Sequence, residues 1–215
     1  GSVHQLLVNK TVPLSGGIFL LFPFFYYFNH YIWTVSAYIL LFVLGLLSDL
    51  NKLSSTKKRF TIQLAIIFTF VVVTKLEVLP TRIDFIDNYF QNSYMSYYFT
   101  IFCFLILING SNFIDGLNGL LLLYVLLIFF YLYKLDLVEF LDISSTEYLY
   151  FISILIFLLL LNFKNKLFLG DSGSYSISFF LGFILIHIYN NTQISPYFII
   201  VLLWYPCFEN LFSII

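Results

Sequence analysis

Long runs of apolar residues, each interrupted by a few polar ones, follow one another along all 215 positions of the chain. A helix that spans a bilayer needs about 20 predominantly apolar residues, with a range near 17–25. Eight segments approach that pattern, near residues 16–28, 31–48, 60–79, 94–109, 117–133, 147–161, 174–189 and 196–214. The first is short and reverses into the second through Asn29 and His30. The stretches LPTRIDFIDN and KLDLVEFLDISSTE are the evident polar connectors. No repeat of fixed period and no low-complexity tail is visible. The pattern predicts an all-α fold, a polytopic bundle of transmembrane helices in which residues 1–215 form a single integral membrane domain.

Composition supports this picture. The chain is 61% hydrophobic and 10% charged, against about 25% charged for an ordinary soluble domain. A soluble core cannot hide that much apolar side chain. A net charge of −1 gives no reason to expect nucleic acid as a partner. Cys103 and Cys207 each lie inside an apolar run. That placement fits buried bystanders better than a disulfide or metal pair.

If all eight segments span, the connections alternate between two faces. One face receives Lys10, Lys52, Lys57, Lys58, Arg59, Lys164 and Lys166; the other receives Lys75, Arg82 and Lys134. The positive-inside rule places the first face in the cytoplasm. Three polar stretches fall on that same face: GLLSDLNKLSSTKKR, INGSNFIDGLNGL and NFKNKLFLGDSGS. They bring Asp49, Asp115 and Asp171 to one membrane surface. Each acid also has a bland reading. Asp49 reads as a solvated helix end, Asp115 as a polar turn residue, and Asp171 as a helix cap with Ser172 or Ser174 as alternatives. Together the three are harder to dismiss, because acids beside spans usually face a polar cavity. Converging carboxylates with glycine-rich turns suit a divalent cation and a phosphate substrate. Mg²⁺ takes one or two carboxylates and completes its shell with waters and phosphates. Glycines and helix N-termini let backbone amides approach phosphate.

At these motifs the chain resembles the polyprenyl-phosphate N-acetylhexosamine-1-phosphate transferases of glycosyltransferase family 4. NGSNFIDGLNG resembles the family signature N-A-x-N-x-x-D-G-x-[DN]-G, and FLGDSGS resembles F-[ML]-G-D-x-G-S. GLLSDL lies where the family carries a paired-acid motif, and VPLSGGIFLL is similar to its early P-x-x-G-G stretch, with His4 and Lys10 upstream. SPYFIIVLLWYPCFENLFSI resembles the penultimate helix of the glycan-initiating, undecaprenyl-phosphate GlcNAc-1-phosphate transferase-like branch.

The resemblance implies ten helices, of which eight are present here, with the first and last lacking. It implies transfer of a sugar-1-phosphate from a UDP-N-acetylhexosamine to undecaprenyl phosphate, with release of UMP. This would be the first membrane step of an envelope polysaccharide or O-antigen. It implies Mg²⁺, with Mn²⁺ as an alternative, a site on the cytoplasmic face of a bacterial inner membrane, and a homodimer. Carried over by motif, Asp49, Asp115 and Asp171 are the catalytic acids, and Asp171 with Asp115 holds the metal. Asn112 supports the Asp115 loop or contacts the diphosphate. Leu117, Asn118, Asn162 and Phe168 frame the uridine, with Phe168 as the stacking ring. Glu209 matches a further acid of the family.

The chain departs from the pattern at two places. Ser48 stands where the first acid of the usual pair belongs. NFKNKLFLGD is one residue shorter than the usual form and lacks its proline. Two rival readings remain beside the enzyme. One is a transporter, whose broken helices would bind substrate near the midplane; the other is an inactive homologue.

Overall fold

The computed structural model describes residues 12–28, 31–78, 81–90, 93–141 and 143–212. His4, Lys10 and His30 lie outside the described residues. Among these there are nine α-helices and no strand. They are α1 (Gly16–Phe28), α2 (Ile32–Asp49), α3 (Thr56–Thr74), α4 (Asp84–Phe90), α5 (Ser93–Ile114), α6 (Leu120–Lys134), α7 (Ser145–Phe163), α8 (Gly170–Asn191) and α9 (Pro196–Phe212). A 3-10 turn, Leu137–Leu141, links α6 to α7. The all-α bundle is the expected architecture, with one addition. The connector LPTRIDFIDN contains α4, only 7 residues long. Asp87 anchors that connector by accepting from the backbone N–H of Thr81 at 2.7 Å and of Arg82 at 2.9 Å.

Four of the described helices, α2, α5, α7 and α8, are long and apolar enough to cross a membrane. The apolar helices α6 and α9 are shorter, at 15 and 17 residues. Each end has a local cause. At α7, Ser144 and Glu147 form a reciprocal capping box, satisfying backbone donors that a helix start leaves orphaned. At the far end of α3, Lys75 turns left-handed with φ 53° and closes the helix.

The buried axis of the bundle is α8. Fully 94% of its membrane-spanning window is buried, enclosed by α1, α2, α5 and the 3-10 turn. Four alternate residues near its start are serines: Ser172, Ser174, Ser176 and Ser178. Two of them, Ser176 and Ser178, tolerate burial because their hydroxyls are returned to the helix itself, while Ser172 Oγ is buried without a hydrogen-bond partner. Ser176 donates to the Ser172 carbonyl at 2.6 Å and Ser178 to the Ser174 carbonyl at 2.5 Å. Small residues also let neighbouring backbones close in. A Cβ on Gly17 of α1 would come within 2.6 Å of the Gly173 nitrogen, and one on Gly45 of α2 would strike the Ser172 backbone. Farther along α8 an aromatic cluster takes over, in which Phe179 meets Phe70 of α3 and Phe104 of α5.

The periphery is held differently. Pro206 interrupts α9 and supplies no N–H, which leaves the Leu202 carbonyl without its usual helical donor. The Tyr124 hydroxyl of α6 donates to that carbonyl instead.

The polar ends of the helices meet as the alternation of spans requires. Asp49, Ser174, Asn112, Asn118 and Asn165 hydrogen-bond or pack at one end. At the other, Asn190 donates to the Glu77 carbonyl, and Arg82 to the carbonyls of Gln193 and Ile194.

Candidate active site

The site is organised by the first turn of α8. Gly170 enters it with φ +75°, a conformation that side chains resist. The strand of chain before it is pinned to the residues leading into α1. Phe168 N–H donates to the Pro13 carbonyl at 3.0 Å, and its own carbonyl accepts from Gly16 N–H at 3.0 Å. The residue at the cap position, Leu169, has no side-chain capping bond to offer. The cap comes from another helix. Asp49, the last residue of α2, accepts from the N–H of Asp171 at 2.9 Å with one oxygen and from the N–H of Ser172 at 3.0 Å with the other. A carboxylate in that position satisfies two orphan donors and complements the helix dipole. Neither Asp171 nor the nearby serines serve as the cap, so the Asp171 side chain is released for other contacts.

Those contacts come from α2 and α3. Ser48 Oγ donates to Asp171 Oδ2 at 2.5 Å. Arg59, in the first turns of α3, lies 2.6 Å from the same oxygen. Asp171 and Arg59 are 16% and 21% exposed, a partly shielded pair with more weight than a fully solvated one.

Asp115 opens the tight turn after α5 and is 6% exposed. Burial pushes its carboxyl up to about 8, the negative charges of Asp171 and Asp49 push in the same direction, and the Gly170 N–H opposes them. The consequence for stability follows from the sign. The unfolded carboxyl titrates near 4, so between about pH 4 and about pH 8 the folded chain holds a proton the unfolded chain has lost. Stability contributed by that proton is complete below pH ~4 and disappears as pH rises toward 8. In EDTA, the melting midpoint of the wild type is expected to fall across this window, and Asp115→Asn is expected to flatten the slope. An unchanged slope in the variant, read by thermal denaturation in detergent at several pH values, refutes this account of Asp115.

Asn112, one turn before Asp115, accepts from Ser174 Oγ at 2.7 Å and so ties α5 to α8. Leu117 is 58% exposed. Asn118 Nδ2 donates to Asn165 Oδ1 at 2.8 Å, joining the Asp115 turn to the α7–α8 loop. Asn162 is 3% exposed, and its Oδ1 is buried without a hydrogen-bond partner. The Phe168 ring is 1% exposed; in this arrangement it packs in the core and shows no face to a ligand. Glu209 lies on α9 against Tyr205, one turn earlier. Cys103 and Cys207 are free thiols, and His187 sits among Tyr31 and Phe183, near the end of α8 away from the acids.

Arg59 is the main residue whose place the sequence did not disclose. It is the third of three consecutive basic residues, Lys57, Lys58 and Arg59, and only the packing of α3 against α2 selects it. Asn165 was likewise hidden, and Ser174, read only as an alternative cap, instead donates to Asn112.

The donor set fits a hard cation. Among the described residues no three His, Cys, Asp or Glu side chains converge as a ready-made cage. Asp115 and Asp171 supply carboxylate oxygens, with no thiolate or imidazole between them. One or two carboxylates with waters and phosphate is the usual Mg²⁺ arrangement.

Comparison with known proteins agrees with the motifs. The model of "Glycosyl transferase family 4" matches residues 31–189. A curated Bacillus subtilis (strain 168) protein, "Probable undecaprenyl-phosphate N-acetylglucosaminyl 1-phosphate transferase", is 31% identical over 191 residues, 85% of this chain and 51% of that protein. The chain therefore spans about half the length of that relative. No solved structure matches. The chain belongs to glycosyl transferase family 4.

Proposed function

We propose that this chain carries the catalytic centre of a membrane transferase that moves a sugar-1-phosphate from a UDP-N-acetylhexosamine to undecaprenyl phosphate and releases UMP. The observation that carries the reading is the placement of Asp115 and Asp171 at one end of the bundle, where Asn112 of one long signature accepts from Ser174 of the other. By the lysine and arginine bias this end faces the cytoplasm of a bacterial cell, where UDP-sugars are made. The product would start an envelope polysaccharide.

Asp171 and Asp115 would hold Mg²⁺, or Mn²⁺ in its place. When bound, the cation would neutralise charge on the diphosphate. The protein's own groups position and orient. Asp49 fixes the start of α8, and with it the Asp171 side chain. Asn112 keeps the Asp115 turn against α8. Leu117 and Asn118, exposed beside that turn, are placed to meet the uridine. Positioning and charge complementarity account for most of the catalysis in phosphoryl transfer.

The gathering of acids at one end, away from the midplane, disfavours a transporter. The test is to supply the full-length protein in detergent with undecaprenyl phosphate, Mg²⁺ and a panel of UDP-N-acetylhexosamines, and to measure UMP. UMP release that EDTA abolishes is the expected result. A folded full-length protein that releases no UMP from any donor refutes the proposal. Donor-dependent flux across sealed proteoliposomes of the same protein, without UMP, supports a transporter.

A further inference from the structure

Position 48 is where this chain departs from the paired-acid motif, and the structure shows what stands there instead of a second carboxylate. Ser48 Oγ donates to Asp171 Oδ2 at 2.5 Å. Arg59 Nη1 donates to Ser48 Oγ at 2.6 Å and to the same Asp171 Oδ2 at 2.6 Å. The three groups come from α2, α3 and α8 and close a triangle on one carboxylate oxygen.

The chemistry of that triangle is specific. An acid at position 48 would put a second negative oxygen beside Oδ2, and the repulsion would favour a proton on one of them. A serine supplies the proton without the charge. Arg59 brings the positive charge and bridges both partners. With two donors on Oδ2, the carboxylate cannot rotate without breaking both bonds. Oδ1 is then the oxygen left for a cation.

We infer that Ser48 and Arg59 are positioning residues that hold Asp171 as a one-oxygen ligand for a divalent cation, with the Ser48 hydroxyl replacing the missing acid. The inference rests on the reading of Asp171 as a cation ligand. Hydrogen bonds to ligating carboxylates fix their orientation, and their loss typically costs 10–100-fold in metal affinity or activity. Ser48 is the cleaner probe of the two. Removing Arg59 would break two hydrogen bonds and also delete a charge that repels the cation, so its effects oppose each other.

The experiment is a Mn²⁺ titration of the full-length protein, followed by the electron paramagnetic resonance signal of free Mn²⁺, with thermal denaturation in EDTA alongside. Asp171→Asn is expected to remove the site. Ser48→Ala is expected to weaken Mn²⁺ binding about 10–100-fold, and Ser48→Thr, which keeps the hydroxyl, to restore most of it. Should Ser48→Ala not fold, Ser48→Cys, a weak donor of similar size, should show a loss in the same direction. A merely structural Ser48 would lower the melting midpoint and leave the Mn²⁺ affinity of the folded protein unchanged. Wild-type affinity in a folded Ser48→Ala or Ser48→Cys protein, with Asp171→Asn still abolishing binding, overturns this inference and leaves the cation site standing. Mn²⁺ binding that does not depend on Asp171 overturns the underlying reading as well.

Discussion

Asp171→Asn in the full-length protein is expected to lower UMP release about 100- to 1,000-fold, the scale on which losing one preorganised charge-stabilising group acts. The substitution is nearly isosteric. Its amide oxygen can still accept from Ser48 and Arg59, which now both point at Asp171 Oδ2. The backbone N–H of residue 171 still meets Asp49. The fold around the site is therefore retained, and the change falls on the charge. Stability should drop by only about 1 kcal/mol, as for the loss of a modest ion pair. Initial rates at saturating donor, set beside a melting curve of the same preparation, separate the two effects. Turnover near the wild-type level would remove Asp171 from the chemistry.

Asp49→Ala is expected to act the other way round, on the fold first. Both carboxylate oxygens accept backbone N–H groups at the start of the most buried helix. Charge-assisted hydrogen bonds contribute about 1.5–3 kcal/mol each. Truncation also strands two amides. A loss of about 3 kcal/mol or more should follow, read as a fall in the melting midpoint in mild detergent. Asp49→Asn, which keeps one acceptor oxygen, should lie between the wild type and the alanine variant. If Asp49→Ala leaves the midpoint unchanged while abolishing UMP release, Asp49 belongs to the reaction and its capping contribution is negligible.

These two acids illustrate what could be read from the chain. The apolar segments and their alternation are local properties, legible from the length and composition of each run. Alternation then carries Asp49, Asp115 and Asp171 to one end without any knowledge of packing. What each carboxylate touches is not local. Asp49 and Asp171 belong to segments more than 120 positions apart, and no periodicity reports which oxygen meets which amide. Arg59 looked like its basic neighbours because only the approach of α3 to α2 singles it out. Phe168 illustrates the converse. The motif marks the position, but the burial of its ring and the tie of its backbone to Pro13 are set by tertiary packing. The short helix α4 was hidden by its length, too brief for a periodic pattern to emerge among Asp84 and Asp87.

The capping of α8 by Asp49 has a consequence for how an anion is held at this end of the molecule. The first amides of a buried helix are a ready phosphate site, and here the protein has filled two of them with its own anion. In the proposed reaction, a diphosphate would be left to the exposed lysines of the α2–α3 and α7–α8 loops and to a cation held by the carboxylates. Attraction to exposed lysines fades as ionic strength rises, because salt screens solvated charges beyond about 8–10 Å. The Asp49 cap, partly buried and in direct contact with its amides, is largely exempt. Salt should therefore loosen the hold on the nucleotide well before it disturbs the helix that presents Asp171, so recognition and architecture draw on separate electrostatics.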